Sequence, residues 1–201
     1  MQKMCGAVLL LPRTPFTVVA TRLRSLVVVC LLAWSASCAT PATTEQHAVI
    51  IEDIPFFSQE AYQCGPAALA TVIGYWQNKA GRDTSITPEG VAADIYSPSA
   101  KGVLPLDLEF YARKQGFQTR QYSGDLDDLK RNVDRGVPTI IFVDYGLSLY
   151  QANHFMVVTG YTKDGVIVNS GRRENQPLSR GELEKIWKKN RYWSLALRPS
   201  P

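Results

Sequence analysis

Histidine is almost missing from this chain: there are two in 201 residues, His47 and His154. Cysteine is scarce as well, with Cys5, Cys30, Cys38 and Cys64. A structural zinc site needs four ligands, and no acids stand at matched positions to complete one around these few, so no metal and no cofactor is expected. A Gly-x-x-x-x-Gly-Lys-Ser/Thr loop is also absent, so the chain is not expected to bind ATP itself. One-sided charge is missing from the body of the protein. The formal net charge of +4 comes from Lys3, Arg13, Arg22 and Arg24, which meet no acid, and from position 39 onward basic and acidic residues balance. That balance removes the electrostatic case for a nucleic-acid partner. What is present, 45% apolar and 20% charged residues, is enough for one globular domain.

The single strong apolar run, over 25–34, falls short of a membrane span and suits the hydrophobic stretch of an export signal, with the basic residues ahead of it. Small residues then lead into Cys38, an arrangement that resembles the lipobox of bacterial lipoproteins. The resemblance implies cleavage before Cys38, lipid on its sulfur, and a mature protein held at the periplasmic face of the outer or inner membrane. Ser35 stands where an aliphatic residue is usual, which leaves ordinary signal cleavage nearby as the alternative. The expected organisation is a signal over 1–38, a polar tether over 39–50 that contains His47, and a folded domain over 51–201. Cys64 is then the only thiol of the domain and His154 its only histidine, so no internal disulfide is possible.

Short extended segments are expected at 48–51 and 54–57. A helix follows from Cys64 to about Lys79, with Pro66 tolerated in its first turn. Thr87 caps a second helix running to about Tyr96, and a third runs from Leu104 to Gln115, with Leu104, Leu108 and Tyr111 on one face and Gly116 as its stop. The period then changes. Strands are expected over 117–122, 137–143, 154–161, 165–170 and 192–197, with a turn at 163–165, a short helix over 125–134 stopped by Gly136, and a Ser179–Glu182 capping box opening the last helix, which runs to about Lys189. Tyr75, Trp76 and Tyr111 read as core, Asp125 and Asp128 as acids at a helix start, and Arg172 and Arg173 as a solvated turn. Helices first and antiparallel strands after them make an α+β fold.

A cysteine at a helix start sits among unpaired N–H groups and the positive end of the helix dipole, which favour the thiolate. Gly65 beside it would let a substrate backbone approach closely. A thiolate attacking a carbonyl needs a proton donor for the leaving group, and His154, opening a core strand after the loop 144–153, is the domain's one candidate.

Gln59, then Gln63-Cys64-Gly65-Pro66-Ala67-Ala68, then the His-Phe-Met-Val-Val-Thr-Gly-Tyr run from His154, then Val168-Asn169-Ser170-Gly171 resemble, in that order, papain-like cysteine peptidases. More narrowly they are similar to the bacteriocin-processing, double-glycine peptidase family and its stand-alone exported relatives. The resemblance implies a papain-like fold in which a helix carrying Cys64 packs on an antiparallel sheet carrying His154. It makes Cys64 the nucleophile, His154 the base and acid, Asn169 the residue that orients the imidazole, and Gln59 a donor to the oxyanion beside the Cys64 N–H. Gln59 is one residue nearer the cysteine than the family usually has it, which leaves Gln63 as the alternative. The double-glycine family has aspartate at the third position, where this chain has asparagine as papain-like enzymes do. Simple register across the 162–165 turn sets Asn169 opposite Val158, four residues along from His154. A bulge would bring it closer, and Ser170 is the nearest substitute.

The expected function is therefore peptide-bond hydrolysis on a peptide or protein substrate by an exported, lipid-anchored cysteine peptidase. Two alternatives stand beside it. One is an acyltransferase or amidase using the same Cys-His pair on cell-wall material, and the other is a non-catalytic lipoprotein that binds an extended peptide.

Overall fold

In the computed structural model, residues 47–58, 63–82, 85–99, 102–147 and 149–200 are described. The signal segment, Cys38 and Gln59 lie outside the described residues.

Local chemistry sets most element ends. Helix α1 spans Cys64–Lys79, and its alanines at 67, 68 and 70 are buried. Helix α2, Pro88–Ile95, starts as expected: the Thr87 side chain accepts from the Gly90 N–H and Pro88 takes the first position. Helix α3, Pro105–Lys114, begins one residue later than the sequence implies. Leu104 thereby becomes its N-cap and is exposed, while Leu108 and Tyr111 are buried as expected. Helix α4, Leu126–Asp134, is capped reciprocally by Asp125 and Asp128, so these carboxylates serve the helix start. Gly116 and Gly136, at φ 83° and 65°, close α3 and α4 in the left-handed conformation that glycine adopts without strain. Ser179 and Glu182 form the capping box of α5, Arg180–Trp187, and a 3-10 turn, Lys188–Asn190, carries the chain out of it.

The strands are β1 (Val49–Ile50), β2 (Phe117–Ser123), β3 (Thr139–Asp144), β4 (Asn153–Thr162), β5 (Gly165–Ser170), β6 (Arg173–Ser179) and β7 (Trp193–Pro199). They form one seven-stranded sheet in the order β2-β7-β3-β4-β5-β6, with β1 also on β4. Every described pairing is antiparallel. The segment read as extended at 54–57 forms no strand, whereas β6, for which the sequence gives no strand signal, does; Arg172 and Arg173 lie exposed at the turn that opens it.

Period-two alternation divides the core between the two faces of the sheet. Ile140, Phe155, Val157, Leu195 and Leu197 face α1 and α3, meeting Leu69, Ile73 and Leu108. Ile141, Met156, Val158 and Val168 face α4 and α5, meeting Leu129, Leu183 and Trp187. Trp76 Nε1 donates to the Leu197 carbonyl at 3.0 Å and fixes α1 to β7. The result is an α+β domain, as expected, with Cys64 opening a helix on one face of the sheet and His154 near the start of β4. No helix among the described residues is long and apolar enough to cross a membrane.

Candidate active site

Gln63, the N-cap of α1, makes no side-chain capping bond, so the first N–H groups of the helix are open to other acceptors. The N–H groups of Cys64 and Gly65 are turned toward the Cys64 sulfur, and so is that of Phe155 on β4. Phe155 is the residue after His154, so the start of α1 and the start of β4 meet at the sulfur. The pairing of β4 with β5 reaches no further than Val157, which leaves the strand beside Phe155 for the thiol.

The charge state differs from the sequence expectation. Burial raises the thiol pKa above its ordinary 9.0 and outweighs the three N–H groups, led by Phe155, that pull it down. The helix start offers the donors that favour a thiolate, but the half-buried sulfur has lost more in hydration than they return. His154 is governed by the same cause: burial lowers its pKa from 6.5 to about 4. Burial thus favours the uncharged form of both groups, the thiol of Cys64 and the neutral imidazole of His154.

The ring is held through Nε2, which lies 3.0 Å from Ser170 Oγ. Asn169, the residue assigned to this task by the resemblance, does otherwise. It is buried, and its Oδ1 accepts from the Asn175 N–H at 2.9 Å. The cause is register. A bulge between Val158 and Gly160 sets Asn169 opposite Val157, one place nearer His154 than simple pairing would, and a second irregularity between Val168 and Ser170 lies in the pairing with β6. Ser170 is therefore the side chain on the imidazole. Gln63, the alternative oxyanion donor, is half-buried at the N-cap.

Gly65 also has a different explanation from the one its neighbourhood implies. A Cβ there would overlap Val103 Cγ2 and come within 3.3 Å of Phe155 Cδ2. The glycine is required by close packing of protein against the first turn of α1, on the side where Phe155 stacks on Phe142 at 4.3 Å between ring centres.

Two contributors escaped the sequence reading. Asp144 ends β3, and its Oδ1 accepts from the N–H groups of Gly146 and Ala152, both at 2.7 Å. The Ala152 N–H, the Gly146 N–H and the nearby Lys189 ammonium hold its carboxyl below the usual range against the opposing effect of burial. The Lys189 ammonium donates to the carbonyls of Asp144 and Gly146, closing the neck of the loop that precedes His154. The signal was an aspartate two residues before a glycine, the pattern of a side chain that folds back on its own turn. Tyr145 follows, its ring centre 6.0 Å from that of His154. Beyond the neck, Leu147, Leu149 and Tyr150 are exposed.

Among the described residues no group of three His, Cys, Asp or Glu side chains is placed to hold a metal ion. A cavity of about 720 Å³ between β1, the end of α1 and α4 is lined by Tyr75, Lys79 and Asp134 and contains neither Cys64 nor His154. Where α1 meets β4, the Cys64 thiol, the N–H groups of the helix start and the backbone of the residue after His154 come together.

Comparison with known proteins bears on the family and the fold. The family described as Peptidase_C39 like matches residues 51–195. The peptidase domain of Streptococcus ComA, a bi-functional ABC transporter of a quorum-sensing pathway, is 22% identical with a TM-score of 0.57, over 72% of this chain and 97% of that one. A double glycine motif protease from an AMS/PCAT transporter, in complex with its leader peptide, is 23% identical with a TM-score of 0.57, over 73% and 91%. A C39-like peptidase from Bacillus anthracis is 15% identical with a TM-score of 0.58, over 76% and 98%. At these identities the likeness is one of fold. No curated protein matches the chain.

Proposed function

Because this chain belongs to the Peptidase_C39 like family, we propose that it is an exported, lipid-anchored cysteine peptidase in which Cys64 attacks the peptide carbonyl and His154 carries the proton. As the sulfur bonds to the carbonyl carbon, the thiol proton passes to His154 and then to the departing amine, the C–N bond breaks, and a thioester remains. Water attacks the thioester, losing its proton to His154. The C–S bond breaks, the carboxylic acid leaves and the thiol is restored. The N–H of Cys64 at the start of α1 is a ready donor for the oxyanion, with the Gln59 amide as its partner and Gln63 as the substitute. The substrate class is a peptide or protein, in keeping with the leader peptide bound by the AMS/PCAT transporter protease.

The observation that carries the reading is the Phe155 N–H turned to the Cys64 sulfur, which brings the only thiol of the domain against the residue next to its only histidine. The test is digestion of a mixed-sequence peptide library by the full chain, read by mass spectrometry. Cleavage that disappears in Cys64→Ala supports the proposal. It is overturned if nothing is cut and His154→Ala leaves the rate of Cys64 alkylation by iodoacetamide unchanged, the result expected of a non-catalytic peptide binder. Cleavage of cell-wall fragments and not of peptides would transfer the same chemistry to an amidase.

Attachment to the membrane has its own readout. When the chain is expressed in a bacterium fed labelled palmitate, the mature protein is expected to carry label, and Cys38→Ala to abolish it. Unlabelled, freely soluble protein would indicate ordinary signal cleavage.

A further inference from the structure

Ser170 is half-buried at the end of β5, with Oγ 3.0 Å from His154 Nε2. The same hydroxyl is within hydrogen-bonding reach of the Tyr145 phenol, whose ionised form it favours against a larger effect of burial. A hydroxyl has one proton and two lone pairs. It can donate to the Tyr145 oxygen while accepting from an Nε2–H, and in that arrangement all three groups are satisfied. The Tyr145 ring lies 6.0 Å from the imidazole between centres and is inclined 48° to it. An imidazole that donates from Nε2 keeps its lone pair on Nδ1.

We infer that Ser170, steadied by Tyr145, is the positioning residue of this site: it holds His154 as the Nε2–H tautomer and so leaves Nδ1 as the nitrogen able to accept a proton. The inference rests on the reading of Cys64 and His154 as the reacting pair. It also differs from a carboxylate triad in one chemical respect. A hydroxyl orients the ring but carries no charge to stabilise an imidazolium, so the resting pair stays uncharged and the proton moves only as substrate is attacked. The titratable group against the ring is Tyr145, after β3. Beyond Tyr145 lie Arg173 of β6 and Glu182 of α5.

With two histidines in the chain, nitrogen-15 NMR of the imidazoles reports the tautomer directly on the full protein, with no substrate required. Wild-type His154 is expected as Nε2–H, with Ser170→Ala giving a mixture of tautomers and Tyr145→Phe a smaller change in the same direction. Ser170→Asp, which adds a charge at the same place, is expected to raise the imidazole pKa. Ser170→Asn, which retains an acceptor, is expected to restore the wild-type tautomer. Where a peptide is cut, Ser170→Ala is expected to lower kcat about tenfold with little change in KM, in the range usual for residues that support a reacting group. An unchanged tautomer in Ser170→Ala, or a tautomer that responds to Asn169→Ala instead, overturns the assignment. Should Ser170→Ala not fold, Tyr145→Phe and Ser170→Asn carry the test. The tautomer measurement stands whether or not Cys64 proves to be a nucleophile, so failure of this inference is distinguishable from failure of the peptidase reading.

Discussion

His154→Ala is expected to lower kcat/KM for the best-cut library peptide by about 10²- to 10⁴-fold, the usual contribution of a positioned acid and base. The wild-type pH profile is expected to carry the mark of burial. The imidazole must be neutral to accept the thiol proton, and with its pKa lowered to about 4 it is neutral over nearly the whole accessible range. The rate should rise through about pH 4 and then stay level through neutrality, where an exposed histidine would give a limb near 6.5. The same shift links to stability. Between pH 6.5 and 4 the unfolded chain takes up a proton at this position while the folded chain does not, so stability is full above 6.5 and falls by up to about 3 kcal/mol as the pH drops to 4. Urea titrations across that window should show the slope in the wild type and a reduced slope in His154→Ala. A kinetic limb near 6.5 with no such slope would mean that the imidazole is hydrated in solution.

Trp187→Ala is expected to cost about 3–5 kcal/mol, as large aromatic deletions from a core do. The side chain is 1% exposed, its Nε1 donates to the Trp193 carbonyl at 2.9 Å, and its ring meets Tyr192 edge-on at 5.3 Å. Deletion leaves a cavity beneath α5 and strips a bond from the first residue of β7. Trp187→Phe retains much of the volume and loses the bond, so it should cost less. Urea midpoints with an unchanged m-value would check both. A loss below about 1 kcal/mol for the alanine variant would show that the site collapses and refills.

What could be read from the chain and what could not divide along physical lines. Element ends with a chemical stop or start were legible, because Thr87, Asp125 and Ser179 act on neighbours three residues away and Gly116 and Gly136 on their own backbone. Residues 173–179 were not. β6 pairs only with β5 and keeps one buried residue, Leu178, so it lacks the alternation that betrays a half-buried strand, and Pro177 argues against one. Cys64 and His154 stood out by scarcity and by their place at element starts. The partner of the imidazole did not, because a one-residue shift in strand pairing exchanges Asn169 for Ser170 and the bulge that produces it has no signature in the residues. The charge state was misread for a related reason. Dipole and donors can be inferred from a helix start, but the burial that overrides them comes from distant segments.

Strand β7 lies between β2 and β3, pairing Phe117 with Pro199 and Thr139 with Ala196. An inner strand of the sheet thus follows all the other described strands in sequence, and such distant pairings are slow to form. Until it pairs, β3 has no neighbour on that side and Trp76 lacks the carbonyl of Leu197. The pairing of β7 is therefore a condition that the sheet must meet before α1 and β3 are tied to a common strand.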